Sequence, residues 1–284
     1  MKAKIEAPRE LPGWLRGAAI LGTAALLAVL EFRRTSRHPR REPKAQRTIR
    51  NLAIAASAAV VMQSVESPLA MQLSRYVYDR RWGIAPRLVK SVLPQTALSV
   101  ILLDYGLYVW HVLTHKVPFL WRFHLVHHID LDLDASTGIR FHYGEMLLSV
   151  PWRLAQIAVT GASPLAYSTW QAFLFSSVLF HHANVEIPPR AERILAFLFM
   201  TPRLHAIHHE AKESRSNSNW SSGLAIWDLM HGTQQWDQKT GIIGVPAYLR
   251  TEDVTLVHCF TLPFERQKAD WVSASSRPIA APQR

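Results

Sequence analysis

Eleven of the fourteen histidines lie between positions 111 and 209, in short repeated spacings. His111 and His115 are four apart. His124, His127 and His128 read H-x-x-H-H, and His205, His208 and His209 read H-x-x-H-H again. His181 and His182 form a pair, and His142 stands between the blocks. Imidazole is the commonest nitrogen ligand for transition metals. On a helix, residues three and four apart share a face, so each block is expected to aim two or three nitrogens at one point. With His142 and His182 the blocks offer ten nitrogens, too many for one metal, since four-coordinate zinc takes three or four. Ten suit two metals of four or five ligands each, with positions left for oxygen or water. His38, His231, His258 and His181 read as ordinary surface or core histidines. The single cysteine, Cys259, excludes an internal disulfide, a Cys-rich zinc site and a cysteine-ligated iron–sulfur cluster.

These blocks must be held by apolar helices. Five apolar segments stand out: 14–32, 52–73, 88–111, 145–159 and 165–180. The first three are long enough to span a bilayer, and the last two, joined only by residues 160–164, form a helical hairpin. The fold expected is all-α, a polytopic bundle of four to five membrane helices with a cytosolic histidine-rich helical cap. Three regions are expected: residues 1–50 as an N-terminal membrane helix and basic loop, 51–240 as the metal-bearing domain, and 241–284 as a partly disordered tail. Lys2, Lys4, Arg9 and Arg16 precede the apolar stretch Gly17–Phe32 as they would in a signal peptide. With Glu31-Phe32-Arg33-Arg34 after it and no small-x-small cleavage site, a retained membrane helix is the better reading.

Lys and Arg outnumber Asp and Glu by 32 to 21. The basic residues flank apolar segments and form no basic helix face, so they point to membrane topology rather than nucleic acid. Eight of them fall in 33–50, and placing that loop in the cytosol brings every histidine block to the cytosolic face. Residues 192–200 read as an amphipathic helix against the membrane. Asp104 shares a stripe with Tyr108, His111 and His115, about two turns deeper in the apolar span, where an ionisable group is costly. A metal-bound imidazole normally donates its other N–H to an oxygen, and Asp104, Asp130, Asp132, Asp134, Glu145, Glu186, Asn184 and Asn219 are candidates to accept it.

Read as strings, Phe123-His124-Leu125-Val126-His127-His128-Ile129-Asp130 and Arg140-Phe141-His142-Tyr143-Gly144-Glu145 resemble the fatty acid hydroxylase / sterol desaturase superfamily. The resemblance continues through His182-Ala183-Asn184-Val185, Thr201-Pro202-Arg203-Leu204-His205-Ala206-Ile207-His208-His209, Asn217-Ser218-Asn219-Trp220 and Trp227-Asp228 to Gly232-Thr233. It covers about residues 100 to 235. It implies an integral-membrane, O2-dependent di-iron enzyme that hydroxylates or desaturates a sterol-like or fatty-acyl lipid. His111, His115, His124, His127, His128, His182, His205, His208 and His209 fall on the family's metal ligands, with His142 a tenth. Tyr143 stands where the family usually has proline, and Ile129 where it commonly has serine. No glycine-rich nucleotide fingerprint or cysteine cluster is present, so electrons are expected from a separate ferredoxin, cytochrome or flavin reductase. The rival readings are a zinc-dependent membrane hydrolase, which lacks its H-E-x-x-H helix here, and a non-enzymatic membrane metal-binding or transport protein, which would set ligands deep within several spans.

Overall fold

Proline and glycine set the helix boundaries. The computed structural model describes residues 10–33 and 40–271. Helix α1 (Gly13–Arg33) is followed by α2 (Lys44–Val61), which runs through a π-helical turn (Met62–Glu66) into α3 (Ser67–Asp79). Pro68 lacks the amide N–H that would continue a regular ladder, and the π turn sits immediately before it. After α4 (Ile84–Leu88) comes α5 (Val92–Lys116). Extended Val117 and Pro118 break the chain there and open α6 (Pro118–His128). Helix α7 (Tyr143–Thr160) stops at Gly161, whose φ of 71° suits glycine, and α8 (Pro164–His182) starts with the Ser163 hydroxyl accepting from the Ala166 N–H. Short helices α9 (Pro189–Leu195), α10 (Pro202–His208), α11 (Glu213–Ser216), α12 (Ile226–His231) and α13 (Leu256–Thr261) complete the cap. Among the described residues extended pairing is limited to two isolated bridges, Phe199–Leu224 and Glu210–Ile243.

The all-α expectation holds. By length and composition, three described segments can cross a membrane: Gly13–Arg33, Lys44–Leu88 and Val92–Lys116. Their outward side chains, such as Leu21, Val60 and Leu93, are exposed and apolar, as contact with lipid requires. Helices α7 and α8 follow one another through residues 161–163, but they do not pack as the expected hairpin, because α3 and α5 each touch both of them. Helix α8 lies against α1, α5 and α10, and α7 against α2, α3 and α5.

Two expectations about extent change. The helix at 192–200 ends at Leu195, because Glu192 is buried on Arg203 (2.9 Å) and Phe199 leaves to pair with Leu224. Residues 241–271 are not a loose tail. Val245, Tyr248, Val254, Cys259 and Leu262 share one core with Ile54, Trp121, Leu125 and Ile129, and Trp271 packs against it. Residues 272–284, His38, and the N-terminal Lys2, Lys4 and Arg9 lie outside the described residues.

A buried ion network joins the start of α2 to the α6–α7 connection. Arg47 Nε donates to Asp130 (3.0 Å) and its Nη1 to Asp134 (2.5 Å). Asn51 Nδ2 donates to Asp130 (3.0 Å), and Arg140 Nη1 donates to Asn51 (2.8 Å). Asp132 accepts from the Arg41 and Glu42 amides at 2.7 and 3.0 Å. The aspartates at 130, 132 and 134 therefore hold helices together and orient no imidazole, which corrects the expectation for Asp130. Because Asp130 follows two residues after His128, the basic segment at 41–50 and the histidine region share one face of the bundle.

Burial alone would raise the Asp130 carboxyl, but Arg47, Arg140 and Arg50 hold it well below the usual carboxylate range. Its folded value lies below the unfolded one, so this stabilisation is present above about pH 4 and is lost as pH falls below that. Removing one partner leaves the other buried and uncompensated. Arg47→Ala is expected to cost about 3–5 kcal/mol, read as a lowered melting temperature in detergent.

Candidate metal centre

Four helices supply the histidines. Helix α5 carries His111 and His115, α6 carries His124, His127 and His128, α8 ends in His182, and α10 carries His205 and His208 with His209 as its C-cap. Their ring nitrogens converge on two points, within 4.8 Å of one another in each group. The first group is His111, His115, His124, His128 and His208. The second is His127, His182, His205 and His209.

Each H-x-x-H-H block is divided between the two groups. His124 and His128, four apart, join the first, and His127 turns to the second. His205 and His209, four apart, join the second, and His208 turns to the first. At about 100° per residue, adjacent His127 and His128 cannot face one point. The expectation that each block aims at a single point holds for His111 and His115 and is corrected for the two H-x-x-H-H blocks, each of which bridges both points.

The first group fits a cation. Nε2 of His111, His115, His124, His128 and His208 is buried without a hydrogen-bond partner in every case. Three of these rings are oriented through Nδ1. His111 donates to the Trp220 carbonyl (2.6 Å), His208 to the Ser218 carbonyl (2.7 Å) and His124 to the Glu145 carboxylate (2.9 Å). These acceptors fix the proton on Nδ1 and leave Nε2 as a lone pair. In the second group the His182 Nδ1 donates to the Val178 carbonyl (2.8 Å), so its Nε2 is a lone pair too. That Nε2 lies 3.1 Å from Nε2 of His127 and 3.0 Å from Nε2 of His205, which is 3.1 Å from Nε2 of His209. At metal–nitrogen lengths of about 2.1 Å, two ligands at a right angle lie about 3 Å apart. Both groups therefore fit a metal ion.

Burial, and then repulsion among neighbouring imidazoles, holds His127, His128, His205 and His209 well below their ordinary value near 6.5, and burial takes His208 to about 3. The rings are neutral at pH 7, as ligands must be.

The remaining candidates sit elsewhere. His142 joins neither group. Its Nδ1 accepts from the Gly144 N–H (2.9 Å) to cap α7, and its Nε2 lies 3.3 Å from the Phe260 carbonyl. His181 also lies outside both groups, its ring centre 4.1 Å from that of His205 and tilted by 55°. Asp104 accepts from the Leu224 amide (3.0 Å) and the Trp227 indole (2.8 Å), so it fixes the 224–227 turn onto α5 rather than an imidazole. The Asn184 backbone N–H donates to Glu31 (3.0 Å) at the junction of α1 and α8. Asn219, with φ of 52°, donates to the Leu204 and Gln235 carbonyls and so braces the loop whose carbonyls at 218 and 220 hold His208 and His111. Asp228 completes that brace by accepting from the Trp220 and Ser221 amides at 3.0 and 2.8 Å. The sequence marked Asp228 only as part of a resembling string. The carbonyls of Ser218, Trp220 and Val178 carry no residue-type signal.

A cavity of about 410 Å³ opens onto the histidines. His111, His124, His127, His182 and His205 form one end, and apolar side chains of α1, α2, α5 and α8 form much of the wall.

Residues 96–233 match the model described as fatty acid hydroxylase. The chain is 30% identical over 182 residues to the ornithine lipid hydroxylase OlsE of Rhizobium tropici, covering 64% of this chain and 51% of that protein. It is 29% identical over 150 residues to the cholesterol 25-hydroxylase of Mus musculus, covering 52% and 49% of the two chains. It is 25% identical over 175 residues to the alkylglycerol monooxygenase of Homo sapiens, covering 60% and 38%. The chain spans about half the length of the first two of these relatives. No solved structure matches it.

The depressed histidine values mean that the unfolded chain takes up protons first, beginning near pH 6.5. Metal content and melting temperature are expected to fall together between pH 7.5 and 5.5, measured on dialysed protein by elemental analysis and thermal unfolding. His142→Ala is expected to keep the full metal content and lose about 1 kcal/mol of stability with its helix cap. Loss of metal in that variant would place His142 back in the ligand set.

Proposed function

Residues 96–233 belong to the fatty acid hydroxylase family, and from that premise we propose that the chain is a membrane-bound, O2-dependent lipid hydroxylase with two iron ions. The reaction is R–H + O2 + 2 electrons + 2 protons → R–OH + H2O. Hydroxylation is favoured over desaturation because the relatives bear the names of hydroxylases and monooxygenases. The observation that carries the reading is the cavity, which joins the histidine groups to apolar walls contributed by membrane-length helices.

His111, His115, His124, His128 and His208 would hold one ion, and His127, His182, His205 and His209 the other. Iron, when bound, supplies the activation of O2 for attack on an unactivated C–H bond. The chain's own residues do the rest. The Glu145 carboxylate fixes the His124 ring and lines the cavity, so it brings negative charge beside nitrogen ligands that carry none. The Trp220 and Ser218 carbonyls fix His111 and His208. Leu107, Phe141, Leu174 and Phe175 line the chamber and exclude water from an acyl or ring substrate.

Electrons come from a separate redox protein, since the single cysteine cannot ligate a cluster. The histidines are assigned to the cytosolic face because the basic segment at 41–50, which the positive-inside rule places in the cytosol, is bonded to Asp130 beside them.

His127→Ala and His208→Ala are each expected to abolish O2-dependent lipid oxidation and to lower bound iron. His258→Ala, whose ring bonds the Asp253 carbonyl away from both groups, should leave both unchanged. Elemental analysis and oxygen uptake check this, and equal loss in all three variants refutes the assignment.

A further inference from the structure

The far wall of the cavity carries charge where hydrocarbon is expected. Glu66, Ser149, Arg153 and Trp170 all line it and are almost fully buried. Arg153 Nε donates to Glu66 (3.4 Å), and the Ser149 hydroxyl donates to the other Glu66 oxygen (3.3 Å). The Arg153 guanidinium lies 4.3 Å from the centre of the Trp170 ring. Glu66 ends the π-helical turn, a distortion often found at functional sites. The Trp170 indole N–H is buried with no hydrogen-bond partner. Such a pair is expensive to place among apolar helices and adds little stability over packed hydrocarbon, so a role beyond fastening helices is indicated.

We propose that Glu66, Arg153 and the Trp170 indole N–H form the anchor for a neutral hydroxyl at the polar end of the lipid substrate. This rests on the reading of the cavity as a substrate chamber. The acid and the base already neutralise each other, so a charged ligand group would bring uncompensated charge into the wall. A hydroxyl can donate to Glu66 while accepting from Arg153 or Trp170. The anchor also sets a distance. Ser149 and Arg153 follow Glu145 on α7 by four and eight residues, about 6 and 12 Å along the axis. Glu145 contacts His124, so the oxidised carbon lies roughly that far along the chain from the hydroxyl. The anchor thereby selects both which lipid enters and which carbon reaches the metal centre.

The test is competition for tritiated 1-hexadecanol bound to the metal-loaded protein in detergent, with unlabelled 1-hexadecanol or its O-methyl ether as competitor. The wild type is expected to prefer the alcohol by at least tenfold. In Glu66→Leu/Arg153→Leu the two competitors should become equal within about twofold. Trp170→Phe, which keeps the ring beneath Arg153 and removes only the N–H, should reduce the preference several-fold. Retained metal content shows that each variant is folded. Equal competition in the wild type, or an unchanged preference in Trp170→Phe and the double variant, overturns the anchor. Oxygen uptake on the same wild-type samples, supplied with reduced ferredoxin as electron donor, separates the two readings. Preference without lipid oxidation supports the anchor and refutes the oxygenase, whereas oxidation without preference refutes the anchor alone.

Discussion

The convergence of nine imidazoles, eight of them buried, on two points is the condition that the rest of the structure must satisfy. In the second group the ring nitrogens lie about 3 Å apart, a spacing at which a cation between them would be held by several at once. The rings must be held by the fold before any ion arrives. Each brace comes from a different part of the chain: Glu145 on α7 for His124, the Val178 carbonyl on α8 for His182, and the 218–220 loop for His208 and His111. A metal bound there links α5, α6, α8 and α10 at once.

The same requirement explains the polar structure around the centre. The Arg47–Asp130–Asn51–Arg140 network fastens α2 to the chain beside His128 without touching an imidazole. Asp104 and Asp228 fasten the 220–228 loop from two sides. Buried carboxylates that looked like ligand partners by their position in the sequence are mostly structural ties, and Glu145 is the exception that reaches a ring. Apolar helices on the other side of the centre leave the cavity, so one bundle separates a polar, rigid face from a lipid-sized chamber.

The histidine spacing was legible in the sequence because helical periodicity relates residue number directly to face. The nine clustered histidines are those the blocks and the family resemblance marked. Their division was harder to read: the 100° step separates His127 from His128, but only packing decides that His124 sides with His128 and that His127 meets His182, His205 and His209. His142 could not be told from a ligand by its string, since its role depends on a backbone amide two residues on. The carbonyls at 178, 218 and 220 were invisible for the same reason, because every residue has one. The long apolar runs predicted the membrane-length helices, while the folding of residues 241–271 onto α2 and α6 rests on long-range contacts that short, scattered apolar residues do not reveal.

X-ray absorption at the iron edge on the iron-loaded protein tests the central claim most directly. The division of nine histidines into groups of five and four requires an average of four to five imidazole rings per iron and no sulfur. Outer-shell scattering from that many rings at two irons per chain is the expected result. A sulfur shell, or two or fewer imidazoles per iron, would contradict the account.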